Sequence, residues 1–572
     1  MKHKPRIERR TPAPVPADFP EHLHPVMARL YAARGVRSAG ELELTLKRLL
    51  PAHSLAGLDA ATALLSDALE RRQRILVLGD FDADGATSTA LAVRALRAMG
   101  AAHVDFLVPD RFRYGYGLTP AIVEVAAAHK PDLLITVDNG ISSLAGVAAA
   151  RAAGMRVLIT DHHLPGHELP AAEAIVNPNQ PDCVFPSKSL AGVGVIFYVL
   201  TALRARLRAD GWFVKQGIEE PNLADYLDLV ALGTVADVAV LDANNRVLVA
   251  QGVARIRAGR ACAGIEALLR VSGRDAARLA SSDLGFVLGP RLNAAGRLDD
   301  MSIGIRCLLA QHPEEAEPLA RELDRLNVER RAIEAEMQAE ALAELERMQL
   351  NGVLPFGLCL FEPHWHEGVI GLLASRVKER VYRPVVVFTT GENGELKGSA
   401  RSVPGFHMRD ALEAIATREP DLLLRFGGHA MAAGLALRHG DFERFQEVFD
   451  AQVRAHLDAT DLDGILLTDG ELSAQEARLE LAEQIRTGGP WGQGFPEPRF
   501  DGRFEIVQQR VVKDRHLKML VRWPDTSRTV DAIAFNTRPC ESRHVHGVYR
   551  LDVNTYRGEQ SLQFVMDYME PC

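Results

Sequence analysis

The chain has 572 residues, a formal net charge of -9 and 47% hydrophobic residues. That length implies several domains, and that composition an ordinary globular protein rather than a disordered or fibrous one. No apolar run is long enough to span a bilayer. The cysteines (Cys183, Cys262, Cys307, Cys359, Cys540 and Cys572) form no CxxC pair, which argues against a zinc ribbon or a disulfide framework and predicts a cytoplasmic location. The acidic balance does not exclude a nucleic-acid partner, since a groove can be basic on an acidic protein.

In chain order, residues 1–58 are expected to form a partly ordered N-terminal arm. Its start, MKHKPRIERRTPAPVPADFP, is basic and Pro-rich without the apolar core of a secretory signal. Residues 59–312 read as an α/β domain. RILVLG (74–79), HVDFLV (103–108), DLLITV (132–137) and MRVLIT (155–160) are short buried strands. Ala- and Leu-rich helices near 86–100, 120–129 and 142–153 separate them. This alternation predicts a parallel, doubly wound sheet. Residues 190–260 look mostly helical, and GPRLNAAGRLDD (289–300) reads as a polar loop. A charged connector helix is predicted over 313–350, from its many Glu/Arg pairs at helical spacing. A second α/β unit follows at 351–460, with FGLCLF and PVVVFTT as strands around the helix GVIGLLASRVKER. LKGSARS (396–402) and RFGGHAMAAGLAL (425–437) are its polar, glycine-bearing elements. Residues 461–572 hold five short β-rich runs and predict a small barrel of the OB type.

Four acidic stretches carry the chemistry: GDFDADGATS (79–88), VDNG (137–140), DHH (161–163) and TVAD (234–237). Three of them follow buried strands, and ligands of an open α/β sheet bind beyond the carboxyl ends of its strands. Asp80, Asp82, Asp84, Asp138, Asp161, His162 and His163 therefore gather on one rim. So many carboxylates cannot ionise together without cations between them, which predicts two divalent metals. Asp80, Asp82 and Asp84 alternate along an extended segment, so their carboxylates can face one cation. Asp237 lies in a segment of small residues that allows close approach. Taken singly, an Asp at a strand end is more often a helix N-cap than a ligand; the ensemble reverses that balance. Mixed carboxylate and imidazole donors suit Mn²⁺ better than Ca²⁺, and Mg²⁺ accepts the carboxylates. Paired ions of this kind serve phosphoester hydrolysis, with His163 as a donor to the phosphate or leaving group.

GDFDADGATSTAL, TVDNGISS, DHH and GTVADV together closely resemble the DHH phosphoesterase superfamily. GPRLNAAGR, WHEGVIGLLASR, KGSARS and GGHAMAAG resemble one branch of it, the RecJ single-strand-specific DNA exonucleases. The resemblance implies a metal-dependent exonuclease hydrolysing single-stranded DNA processively from the 5′ end, in recombination and in mismatch and other repair. Mn²⁺ or Mg²⁺ is its implied cofactor. It implies metal positions at Asp82, Asp84, Asp138, His162 and Asp237, with Asp80 as part of a longer DxDxD version. The catalytic pair would be Asp161 and His163. Where several superfamily members carry a histidine before the DxD, this chain has Leu78. The second unit resembles the DHH-associated (DHHA1) domain, whose GGH motif falls on Gly427, Gly428 and His429. In that family it binds substrate across a cleft. Ser88, Arg111, Tyr114, Arg291, Asn293, Arg297, Ser399, Arg401, Gly428 and His429 are the candidate substrate-binding residues. Arginine is suited to phosphate by its planar fork, although Arg291 and Arg297 also fit ordinary surface pairing. His366 is either functional or a helix cap.

The barrel would offer Phe500, Phe504, Trp523, Phe535 and Tyr556 beside Arg510, Lys513, Arg515, Lys518 and Arg522. Most of those aromatics are expected in the core, with one or two stacking on bases. The family also suggests a helicase and single-strand binding protein as partners, and the enzyme is expected to work as a monomer. Three other readings compete. A small-substrate DHH enzyme would need only the two α/β units. A catalytically dead scaffold would have lost ligand residues. An alanyl-transfer-RNA editing module would need a synthetase-like region.

Overall fold

The computed structural model describes residues 5–110, 113–350, 354–391, 393–556 and 558–572. They form two compact units: the described residues of 9–327 with 468–572, and those of 5–8 with 328–467.

The larger unit is built on five parallel strands. These are Arg74–Leu78 (β1), His103–Leu107 (β2), Leu133–Val137 (β3), Arg156–Thr160 (β4) and Ala174–Val176 (β5), in the order β2-β1-β3-β4-β5. The fifth is only three residues long and carries no alternation by which the sequence would announce it. Side chains alternate between the faces: Ile75, Val77, Ile135 and Leu158 join one core, Leu76, Leu78, Leu134 and Ile159 another. Helices cover both faces, which is why β3 reads as an unbroken apolar run and is buried throughout. The strand order reverses between β1 and β3. A crevice therefore opens beyond their carboxyl ends, where the first two acidic motifs lie.

GPRLNAAGR is not a loop. It forms the helix Gly289–Leu298, continuing from a π-helical stretch at Leu284–Leu288. Leu292, Ala294 and Ala295 face the core, and Pro290 stands in the first turn, where a missing N–H costs nothing. The polar residues that suggest a loop, Arg291, Asn293 and Arg297, are half-buried rather than solvated.

The last hundred residues of the larger unit contain a closed barrel of Phe500–Val512, His516–Arg522, Thr529–Ala534, His544–Tyr556 and Glu559–Pro571. The third and fifth strands pair in parallel and the first closes on the fourth, the OB arrangement. Phe500, Phe504, Tyr549 and Phe564 fill its interior. Replacing Phe504 by alanine should cost about 3–5 kcal/mol, read as an earlier denaturant midpoint for the larger unit. The barrel's core is continuous with that of the parallel sheet.

Residues 5–58 are more ordered than an arm. Arg9 donates to the buried Asp501 of the barrel (Nη2–Oδ2 2.7 Å) and Arg34 makes a two-pronged contact with Asp469 (2.9 and 2.8 Å). Tyr31 of the helix Pro25–Ala33 stacks on Trp491. The predicted connector is a single helix, Pro313–Leu350.

In the smaller unit, Leu358–Phe361 and Val385–Thr390 pair in parallel. Leu396–Arg401, Ala432–Leu437 and Arg425–Gly428 extend the sheet antiparallel. LKGSARS and the GGH segment are thus strands. Their glycines and alanines have low strand propensity and mask the pattern.

Candidate active site

β1 ends at Leu78, and the chain turns through Asp80 into the helix Ala83–Ala98. Asp82 is that helix's N-cap. Its Oδ1 accepts from the Asp84 and Gly85 N–H groups (2.9 and 3.0 Å). Asp84, in the first turn, is fully buried. It meets the N-terminus of a second helix, Gly192–Ala209: the Gly192 N–H donates to Oδ2 (2.6 Å) and the Val193 N–H to Oδ1 (2.9 Å). The positive end of that helix stabilises a carboxylate there. The close approach requires glycine, because a Cβ on Gly192 would lie 2.6 Å from the Asp138 Cβ. Ser88 donates to Asp84 Oδ1 (3.4 Å) from a buried position. It supports the carboxylate rather than facing a substrate.

Asp138 follows β3 with φ of 63°, a left-handed conformation that turns its side chain back over the strand ends. Its Oδ1 is enclosed and accepts no hydrogen bond, with His162 Nε2 3.0 Å away. The same His162 nitrogen lies 4.0 Å from Asp84 Oδ2 and 3.9 Å from Asp237 Oδ2. Asp237 caps the helix Leu227–Ala236. Three overlapping donor groups occur among the described residues, each within 4.8 Å: the adjoining pair Asp80, Asp82, Asp138 and Asp84, His162, Asp237, and a third of Asp138, His162 and His163. All six expected metal positions converge.

The charges of this cluster oppose one another. Burial first, and the neighbouring Asp82 second, push Asp84 up to about 7. Burial, then Asp84, Asp82 and Asp80, hold both Asp138 and Asp237 well above the usual carboxylate range. Asp161 behaves oppositely. Burial works against its charge, but the His163 hydrogen bond and charge outweigh it and keep its pKa low. His163 is held above its ordinary value: burial opposes the charged ring and the Asp161 bond overcomes it. Asp161 Oδ1 accepts from His163 Nδ1 (2.7 Å) and from the His162 and His163 backbone N–H groups; Oδ2 accepts from the Ile141 N–H (2.9 Å). It is a buried organiser of both histidines.

The RFRYGYG segment contributes a residue that sequence reasoning passed over. Tyr116 places its hydroxyl 3.2 Å from His163 Nδ1 and 3.3 Å from the Asp138 carbonyl, and its ring packs edge-on to Phe81. Tyr114 instead packs against the apolar cluster on one face of the sheet, with Arg113 over its ring. Two tyrosines two residues apart gave no signal to choose between them. Arg111 lies outside the described residues.

Three candidates fall on the Gly289–Leu298 helix. Asn293 Oδ1 accepts from the Ala83 N–H (2.8 Å), so it holds the metal-bearing turn. Arg291 pairs with Asp324 (2.9 Å) and donates to the Val287 carbonyl, the surface pairing that competed with a phosphate role. Arg297 stands in the last turn. In the smaller unit, Arg401 donates to Ser399 Oγ (3.2 Å) and the Ala400 carbonyl (2.8 Å). Burial lowers its pKa, and no carboxylate pairs with it among the described residues. Ala432 pairs with Arg401 across the sheet, so the Gly428–His429 hairpin tip lies beside that end of the strand. Gly428 has φ of 142°, as the tight turn requires. His366 Nδ1 accepts from the Gly368 N–H (3.0 Å) in the turn ahead of the helix Ile370–Val381, whose N-cap is Val369.

Family models match the chain in three places: the DHH family N-terminal domain at 74–234, the DHHA1 domain at 354–455 and the RecJ OB domain at 468–568. The single-stranded-DNA-specific exonucleases RecJ of Salmonella typhimurium and Escherichia coli are each 54% identical to it over the full length of both chains. The chain belongs to the RecJ family of single-stranded-DNA-specific exonucleases. Among solved structures, RecJ of Thermus thermophilus in complex with Mn²⁺ covers 99% of this chain and 79% of its own (31% identity, TM-score 0.82). Its Mg²⁺ complex covers 99% and 78% (30% identity, TM-score 0.75). No helix of the described residues is long and apolar enough to cross a membrane.

Proposed function

We propose that the chain is a metal-dependent exonuclease that hydrolyses single-stranded DNA processively from the 5′ end, using two divalent ions, in recombination and in repair that includes mismatch repair. The observation that carries this reading is the convergence of five carboxylates and one imidazole into two adjoining donor groups. An enclosed, undonated carboxylate oxygen on Asp138 and a donor set of oxygen and nitrogen fit Mn²⁺ or Mg²⁺. Bound there, such ions neutralise the carboxylates, polarise the phosphodiester and lower the pKa of the attacking water.

The protein's own groups supply the rest. We assign Asp80, Asp82, Asp84, Asp138, His162 and Asp237 to the metals. Asp161 orients His163 and sustains its charge, so that His163 can hold a proton for the leaving oxygen. Arg401, with Ser399 beside it, is a cation kept without a counter-charge in low dielectric, which favours an incoming phosphate. On the barrel, Phe535 is half-exposed and packs on His516. It stands on the strand 2–3 side that OB folds use for nucleic acid, and is our candidate base-stacking residue. A cytoplasmic enzyme acting as a monomer, with a helicase and single-strand binding protein as partners, belongs to the same proposal.

Arg401→Ala should lower cleavage of a 5′-phosphorylated strand by about 10- to 100-fold, the worth of a charged hydrogen bond. Hydrolysis of bis(p-nitrophenyl) phosphate should change far less; equal losses would put Arg401 in the chemistry. The exonuclease reading itself is tested with one single-stranded sequence in linear and covalently closed circular form. Degradation of the linear form alone is expected, and cutting of the circle would mark an endonuclease.

A further inference from the structure

Beyond the metal centre, the larger unit carries apolar surface that its fold does not use. The chain leaves the helix Leu227–Ala236 through Asp237, and the next residue, Val238, has φ of 60°. This left-handed position after a helix end is ordinarily glycine. A β-branched side chain there is strained, yet Val238 is 64% exposed and no core rewards it. Alongside lies the π-helical stretch Leu284–Leu288. Its Gly285 packs against Val235, two residues before Asp237, and the next residue, Phe286, is 84% exposed. π-helical turns are rare and recur at functional sites. Here the turn aims a large aromatic ring at solvent immediately beside a metal position.

Val238 and Phe286 both line a cavity of about 700 Å³ that extends from this point to the barrel. Its walls carry Arg257, Arg486 and Arg499, of which Arg486 pairs with Glu483 (2.7 Å) and Arg499 with Asp567 (3.2 Å). Arg257 donates to the Leu279 carbonyl (2.7 Å) and, among the described residues, pairs with no carboxylate. Of the wall's acids, Glu497 is already tied to Arg550 (2.9 Å), and Asp552 accepts a backbone N–H from Val553. An exposed aromatic, an arginine that pairs with no carboxylate among the described residues and a place beside the metal centre match the way proteins hold single strands.

We infer that Phe286, flanked by Val238, is a stacking platform for a base of the DNA strand, which runs from the metal centre to the barrel along this cavity. This rests on the exonuclease reading, and the strand is the one occupant that needs both the apolar ring and the arginines.

The test measures binding in chelator, where no cleavage occurs, by anisotropy of a 5′-phosphorylated oligothymidylate. Phe286→Ala should weaken binding about tenfold, within the range for one stacked base; Phe286→Trp should retain it. A single abasic site moved along the strand should cost the wild type about as much at one position, and cost Phe286→Ala nothing further there. Val238→Gly removes the apolar branch and relieves the backbone, so strand binding should fall while thermal stability rises. Unchanged binding in Phe286→Ala, or an abasic penalty that survives in it, would overturn the platform. Failure of the wild type to cleave linear strands with Mn²⁺ would overturn the exonuclease reading alone, because the binding comparison does not depend on hydrolysis.

Discussion

Asp138→Asn is expected to lower strand cleavage by more than about 100-fold and, in chelator, to make the protein more stable. The loss of activity follows from its place between the two donor groups. Groups that merely support a metal ligand cost about 10–100-fold when removed, and a ligand should cost more. The gain in stability follows from its surroundings. Burial and the charges of Asp84, Asp82 and Asp80 hold its carboxyl well above the usual range, so its ionised form at neutral pH opposes folding. Asparagine keeps the shape, carries no charge and tolerates the left-handed backbone that Asp138 adopts. Thermal unfolding with chelator and with Mn²⁺ checks this directly. The variant should melt higher than the wild type without metal and gain less from Mn²⁺. A lower melting temperature in chelator, or near-wild-type cleavage, would remove Asp138 from the metal centre.

The second large effect is on the pH dependence of stability. Asp84, pushed up to about 7, and Asp138 and Asp237, held well above the carboxylate range, bind protons more tightly in the folded state than in the unfolded one. Stability in chelator therefore falls as pH rises from the ordinary value of 3.8 through about 7. Asp138 and Asp237 act in the same direction. His163 acts in the same direction. Its raised pKa contributes stability that is complete below its ordinary value and is lost as pH rises through the folded one. Asp161 has the opposite sign, but its contribution disappears only in acid. Divalent metal inverts this slope, since it binds the deprotonated carboxylates and its affinity grows with pH. At a free concentration of 100 times Kd it should add about 2.7 kcal/mol. Denaturant titrations across neutral pH, with chelator and with Mn²⁺, should give slopes of opposite sign. Parallel curves would mean that the carboxylates do not share a cation.

The parallel sheet was legible because three of its strands, Arg74–Leu78, Leu133–Val137 and Arg156–Thr160, are short apolar runs that lead into acidic motifs. The barrel was legible from five alternating runs between turns. The convergence of Asp84 and Asp237 was harder to see. It depends on Gly233 in the helix that Asp237 caps, where a Cβ would lie 2.8 Å from Asp84 Oδ1, a contact spanning more than a hundred residues. The π-helical stretch was hidden because Leu284–Leu288 has an ordinary apolar composition and its register depends on packing against the neighbouring helix. The order of the N-terminal segment was hidden for a related reason. Arg9 and Arg34 look like solvated charges until Asp501 and Asp469, several hundred residues later, meet them. The same holds for the barrel: its core merges with that of the sheet, so deleting it would expose both. Its role in strand binding is better read from Phe535→Ala, which should weaken binding and leave folding unchanged.

One single-stranded oligonucleotide labelled at either end, incubated with Mn²⁺ or with chelator beside a blunt duplex control, decides whether the chain degrades single strands from the 5′ end. Stepwise, metal-dependent loss from the 5′ end with the duplex spared is the predicted result. Tight strand binding with no degradation in any divalent metal would contradict it.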